Sequence, residues 1–168
     1  MHVAAQEAGV MDLEAIKQIE QLKHRYSRAL DTKSWEEFAD TMVPEVKATY
    51  SEYLTFDSRD SFVSFLENTL GTHVITEHQC GQPEITVTGD TAVGVWFLAD
   101  TTLIPEDGML LRGSAYYHDS YIRCPDGAWR ITSTGYERTW ESVAALSDFP
   151  SFRLTSNKWA MLQPPASA

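Results

Sequence analysis

The sequence predicts an α+β domain, with three N-terminal helices followed by an antiparallel sheet folded as a meander. Up to about residue 71, apolar side chains recur at helical spacing. From residue 72 onward they alternate, or run together in β-branched and aromatic stretches broken by turn signals. Helices and strands are thus segregated along the chain, the order of an α+β fold and not of an alternating α/β one.

Each element follows from its own pattern. From Asp12 to Leu30, the residues Ala15, Ile19, Leu22, Tyr26 and Ala29 step by four and three and draw one stripe along a helix. A second helix opens at Ser34, whose hydroxyl is placed to cap it with Glu37 three residues on. It turns Trp35, Phe38 and Met42 inward before Pro44. EVKATYSEY reads as a strand, and SRDSFVSFLENTLG as a third helix with Phe62, Phe65 and Leu66 inside and Gly71 as its stop. The strands THVITEHQ, PEITVTGD, TAVGVWFLAD, LLRGSAYYHDSYIR and AWRITSTGYERTW follow, the second and third joined through a Gly-Asp turn and the last two through PDG. After roughly Ser142, prolines and small residues predict no further core element. The chain therefore reads as one domain over 10–142 with a tail at 143–168.

Bulk properties narrow the function. At 168 residues the chain is long enough to bury a core without staples. Its formal charge of −11 repels phosphate backbones and anionic lipid, which disfavours a nucleic-acid or membrane role. Only Cys80 and Cys124 are present, which suits a reducing cytoplasm, and no apolar run is long enough to cross a bilayer. AVGVWFLA is apolar on both alternating faces, so it is expected to be covered twice, by the helices and by a second copy of the chain.

Several residues are candidates for chemistry. Tyr26 lies in the buried stripe, either as a packing aromatic or presenting its hydroxyl to an enclosed space. Asp31, five residues on and about 140° around an ideal helix, is either a turn aspartate or a site residue that reaches Tyr26's side because the helix ends between them. His78 shares a strand face with Val74, Thr76 and Cys80, as a satisfied core histidine or a base. Asp100 ends the most apolar strand on the face of Trp96 and Leu98, where it is paired, kept protonated, or already in solvent. Arg138 shares its face with Thr134 and Tyr136, as a clamp, a partner of an aspartate, or a rim residue. Either alternating set of Tyr116, Tyr117, His118 and Asp119 can face inward. His73 and His78 point to opposite strand faces and no tetrahedral ligand set completes them, so no metal is assigned. Phosphate-loop, dinucleotide and nucleophile-elbow motifs are absent from the sequence.

YSRALDTKSWEEFADTM, SRDSFVSFL, TEHQCGQPEITVTGDTAVGVWFLAD and GAWRITSTGYERTW together resemble the SnoaL-like branch of the nuclear transport factor two-like superfamily. That superfamily includes scytalone dehydratase, bile acid 7α-dehydratase, ketosteroid isomerase and polyketide cyclases. The resemblance implies a cone-shaped α+β barrel and a cofactor-independent lyase. Tyr26, Asp31, His78, Asp100 and Arg138 fall in the order of the bile acid 7α-dehydratase catalytic pattern. His118 and Tyr50 are candidates for the additional histidine and tyrosine of scytalone dehydratase. Trp96, Leu98, Phe62, Phe65, Tyr116 and Tyr136 are expected to wall a pocket for a hydrophobic steroid-like or polyketide-like substrate. A homo-oligomer is implied, a trimer before a dimer. Ketosteroid-type isomerisation, cyclisation or ligand carriage are the alternatives to dehydration.

Overall fold

The computed structural model describes residues 12–159. Three helices, α1 (Leu13–Asp31), α2 (Trp35–Asp40) and α3 (Arg59–Thr69), pack on one side of a six-stranded sheet. The strands are β1 (Met42–Thr49), β2 (Thr55–Phe56), β3 (Ile75–Thr88), β4 (Thr91–Ile104), β5 (Met109–Arg123) and β6 (Trp129–Ala145), in the spatial order β2-β1-β6-β5-β4-β3. The domain start expected at residue 10 and the tail beyond residue 159 lie outside the described residues. Among the described residues, no helix is long and apolar enough to cross a membrane.

The sheet is mixed, where the sequence predicts a purely antiparallel one. β3 to β6 form the antiparallel meander, but β6 lies parallel to β1. The cause is topological: α3 carries the chain from β1 to the far edge of the sheet, and the four-strand meander returns to lie against β1 in the same direction. Because β2 and β3 remain edges, the sheet does not close on itself, and α1 and α3 cover its concave side. Two local readings also change. Pro44 falls inside β1, not between elements, and THVITEHQ and PEITVTGD join into the single strand β3. A register shift between Gly81 and Glu84, with Gln82 at φ 49°, bends that strand in the middle. Pro83 is tolerated there because a bulge on an edge strand needs no ladder donor.

The stripe read in α1 is the buried face. Ala15, Ile19, Leu22, Tyr26 and Ala29 all lie in the core with Phe38, Phe62, Trp96 and Leu98. Asp12 caps α1 by accepting from the Ala15 N–H (2.9 Å). At α2, Ser34 is the cap residue but its hydroxyl contacts Thr32 Oγ1, while Glu37 pairs with Arg28 on α1, so the expected capping box does not form.

Candidate active site

Asp31 is the last residue of α1, at the end of the helix where the dipole disfavours an anion. Three groups offset this. Thr76 Oγ1 donates to Oδ1 (2.8 Å), the His78 backbone N–H donates to Oδ2 (2.8 Å), and His78 Nδ1 lies 2.7 Å from Oδ1. The helix does not stop between Tyr26 and Asp31 as expected; it runs through both. They therefore leave it about 140° apart, with Asp31 turned sideways onto β3 and Tyr26 into the interior.

Tyr26 and His78 meet at a cavity of about 180 Å³ between α1, α3 and the sheet. Its walls are Tyr26, Tyr50, Tyr117 and Tyr136 together with Leu30, Leu54, Phe65, Leu66 and Leu70. The Tyr26 and Tyr50 hydroxyls are 3.2 Å apart, so one donates to the other and one proton is left for a guest. Burial raises the pKa of all four phenols, which keeps them protonated donors throughout the physiological range. Larger grooves lie outside, one of about 500 Å³ along Lys17, Gln21, Arg25 and Arg28 of α1. That groove is open to solvent, its three charges are paired with Glu20, Asp40 and Glu37, and no base faces it.

Asp100 and Arg138 flank the dyad. Asp100 is the cross-strand neighbour of His78, and both its oxygens accept from the Arg138 guanidinium, Nη2 at 2.8 Å from Oδ2. Of the sequence alternatives for Asp100 the structure shows pairing, with both carboxylate oxygens accepting from Arg138. Arg138 in turn lies 4.7 Å from the centroid of the Tyr136 ring, which it braces at the cavity wall. Gly113 stands opposite Asp100 on β5, and a Cβ there would collide with the guanidinium. Gly113→Ala is expected to destabilise the fold by about 1–3 kcal/mol, the usual range for overpacking, read as a lower urea midpoint.

Of the six expected pocket residues, Phe65 and Tyr136 line the cavity. Trp96, Leu98 and Phe62 are fully buried behind its wall instead. Trp96 Nε1 donates to Tyr121 Oη (2.8 Å), and Phe62 stacks on Tyr50. Tyr116 is corrected more sharply: it is 43% exposed on the outer face, because the inward set of β5 is Ala115, Tyr117, Asp119 and Tyr121. His118 points outward with Tyr116, whereas Tyr50 reaches the cavity. A volume of 180 Å³ is also below the roughly 300–1,000 Å³ of sites for drug-sized ligands. At that volume the cavity has room for one or two rings.

Beneath the tyrosines lies a polar network in which Asp119 meets Lys23, a residue the sequence does not single out. Lys23 and Asp119 form a fully buried ion pair (2.7 Å), and Asp119 also accepts from Tyr121 Oη (2.8 Å) and Thr134 Oγ1 (2.7 Å). The Lys23 ammonium sits 3.5 Å from the centroid of the Tyr117 ring and 4.6 Å from that of Tyr26. A signal was available, since Lys23 immediately follows Leu22 and precedes Tyr26 by one helical turn, which places it on the buried stripe. Among the described residues, no cluster of three or more His, Cys, Asp or Glu is placed to hold a metal ion.

A profile of the SnoaL-like domain matches residues 11–135. The chain belongs to the SnoaL-like domain family. An uncharacterized protein of Mycobacterium tuberculosis is 28% identical to it over 116 residues, 68% of this chain and 78% of that protein. Among solved structures, a scytalone dehydratase-like protein from Novosphingobium aromaticivorans aligns with a TM-score of 0.73 at 20% identity, covering 78% of this chain and 88% of that one. The type 3 hexachlorocyclohexane dehydrochlorinase of Novosphingobium barchaimii aligns at 0.71 and 16% identity, covering 79% and 92%. At these identities the likeness to the solved structures is one of fold. What this SnoaL-like domain offers a ligand is a cavity walled by phenols and faced by an imidazole.

Proposed function

We propose that this SnoaL-like domain is a cofactor-independent dehydratase acting on a small hydroxylated cyclic ketone. The observation that carries the reading is the 2.7 Å contact between Asp31 and His78 beside a cavity that His78 itself lines. An aspartate already accepting from Thr76 and from a backbone N–H is an acceptor toward the ring as well. Nδ1 then holds the proton and Nε2 is a free base. His78 removes a proton made acidic by a neighbouring carbonyl. Charge builds on the carbonyl oxygen, where the Tyr26–Tyr50 pair supplies a hydrogen bond. The enolate expels hydroxide, and the imidazolium just formed returns the proton to it, giving an enone and water. Arg138 and Asp100 act at one remove, by fixing Tyr136 and the strand edge beside His78. That a scytalone dehydratase-like protein and a dehydrochlorinase share the fold agrees with an elimination.

The test is a panel of β-hydroxy cyclic ketones analysed by mass spectrometry. A product lighter by one water supports dehydration. A product of unchanged mass with a shifted double bond or a new ring supports isomerisation or cyclisation, and tight binding without conversion supports a carrier.

We further propose that the outer sheet face joins copies of the chain, a trimer before a dimer. Val93 is 55% exposed there, and Tyr116 packs edge-on against Phe97 (5.9 Å between ring centroids). A patch of this kind on an otherwise acidic surface marks an interface. Sedimentation should give a multiple of the single-chain mass, and Tyr116→Glu should weaken association at least tenfold, as truncating a central aromatic anchor does. A wild-type chain that sediments as a single copy at all concentrations contradicts this proposal.

A further inference from the structure

Lys33 is the residue that the catalytic reading does not use and that the backbone accommodates at some strain. It sits just beyond α1, at φ 57°, in the left-handed region that favours glycine. The Ser34 N–H donates to the Ala29 carbonyl (2.9 Å) and the Lys33 N–H to the Leu30 carbonyl (3.2 Å), the bonding pattern of a Schellman stop. Glycine is the usual occupant of that position, and a lysine there has to be explained by what its side chain does.

The side chain folds back over the end of α1 to the dyad. Its Nζ donates to Thr76 Oγ1 (3.0 Å), and the same hydroxyl donates to Asp31 Oδ1 (2.8 Å), the oxygen in contact with His78 Nδ1. A hydroxyl has one proton, and an ammonium has only donors. Whenever Lys33 is charged, the Thr76 oxygen must accept from it and the Thr76 proton must point at Asp31. The line Lys33, Thr76, Asp31, His78 is thereby polarised in one direction.

We propose that Lys33 is a positioning residue for the His78 base: its ammonium locks the Thr76 hydroxyl onto Asp31, and the carboxylate so held keeps the ring proton on Nδ1 and leaves Nε2 bare. This rests on the reading of His78 as the base and adds to it a residue that acts only through Thr76 and Asp31. The groups facing Lys33 are Asp31 from α1 and Thr76 from β3, with His78 behind Asp31 and the Asp100–Arg138 pair across the strand from His78. Burial pushes the Lys33 ammonium down to about 8, while Asp31 pulls it the other way. The sign follows from the donor count: below about pH 8 the ammonium holds Thr76 in one orientation, and above it a neutral amine can accept, so the hydroxyl is released.

The experiment is nitrogen-detected NMR of the His78 ring across pH 6 to about 9.5, on the wild-type chain and on Lys33→Met, Lys33→Gly and Lys33→Arg. The wild type should show a single Nδ1–H tautomer at neutral pH and an inflection near pH 8 in the ring shifts. Lys33→Met and Lys33→Gly should lose that inflection and move the ring-nitrogen shifts at neutral pH as the Nδ1–H contact to a less firmly held Asp31 changes, while Lys33→Arg keeps the wild-type shifts without the inflection. Lys33→Gly also relieves the positive φ and should melt no lower than wild type, which separates positioning from stability. A wild type with the Nδ1–H tautomer whose ring shifts are unchanged in Lys33→Met and Lys33→Gly overturns the role of Lys33 and leaves the dyad standing. A wild type holding the proton on Nε2 overturns the dyad itself.

Discussion

His78→Ala is expected to lower turnover of a hydroxylated cyclic ketone by about 10²–10⁴-fold, the usual contribution of a positioned general base. The loss should fall on kcat with little change in KM, because the imidazole acts on the proton in flight while the walls of the cavity, Tyr117, Tyr136 and Phe65, hold the substrate. Asp31→Asn should lose a comparable share by a different route. The amide retains the size of the carboxylate, but its NH₂ offers a donor to His78 Nδ1 or to the two groups that now donate to Asp31. The ring is then driven to the wrong tautomer. The double variant His78→Ala/Asp31→Asn should be no slower than His78→Ala alone, since the aspartate has no one left to orient. Steady-state kinetics on the four proteins measures this. Additive losses would mean that Asp31 acts independently of the histidine.

The second large effect concerns stability. Asp119→Leu removes the carboxylate from a fully buried lysine whose remaining neighbours are aromatic faces, and is expected to cost about 3–5 kcal/mol. Lys23→Met should lie at the lower end of that range, because Asp119 keeps two hydrogen-bond donors, Tyr121 and Thr134. Lys23→Met/Asp119→Leu should recover much of the loss, since replacing both charges by apolar groups leaves no ion unpaired. Urea unfolding of the three variants checks the order. If the double variant proves the least stable, the pair contributes more than its own desolvation removes, and the tyrosine wall above it depends on the charges. The network underlies Tyr26 and Tyr117, so loss of either charge should also loosen the cavity and raise KM.

The helical part of the fold was open to sequence reading because each helix buries one stripe, and a stripe has a period. Strand pairing has no such local record. Nothing in MVPEVKAT states that its partner is β6 and that the two run parallel, because that depends on where α3 delivers the chain. In the sequence, Gly81–Gln82–Pro83 is legible only as a break, which divides one bent strand into two. In the candidate site, Asp31 and His78 stand far apart in sequence and were linked through the resemblance. Their contact comes from the way α1 lies across the start of β3. Tyr116 and Tyr117 show the limit most plainly. Adjacent tyrosines alternate faces, and only the register of β5 against β4 and β6, with its shift between Ser114 and Ala115, decides which one reaches the cavity. Thr76 is legible as a neighbour of His78 on its strand face, but Lys33 is not, because its link to the dyad runs through that hydroxyl 43 residues away.

The most direct measurement follows proton removal from carbon. A β-hydroxy cyclic ketone small enough for the cavity is incubated in D₂O with wild-type protein and with His78→Ala, and both the loss of water and the entry of deuterium beside the carbonyl are followed by NMR. The account predicts elimination, or exchange at that carbon, with the wild type and its loss with the variant. Equal conversion by both proteins, or firm binding of the ketone with neither reaction, would contradict it.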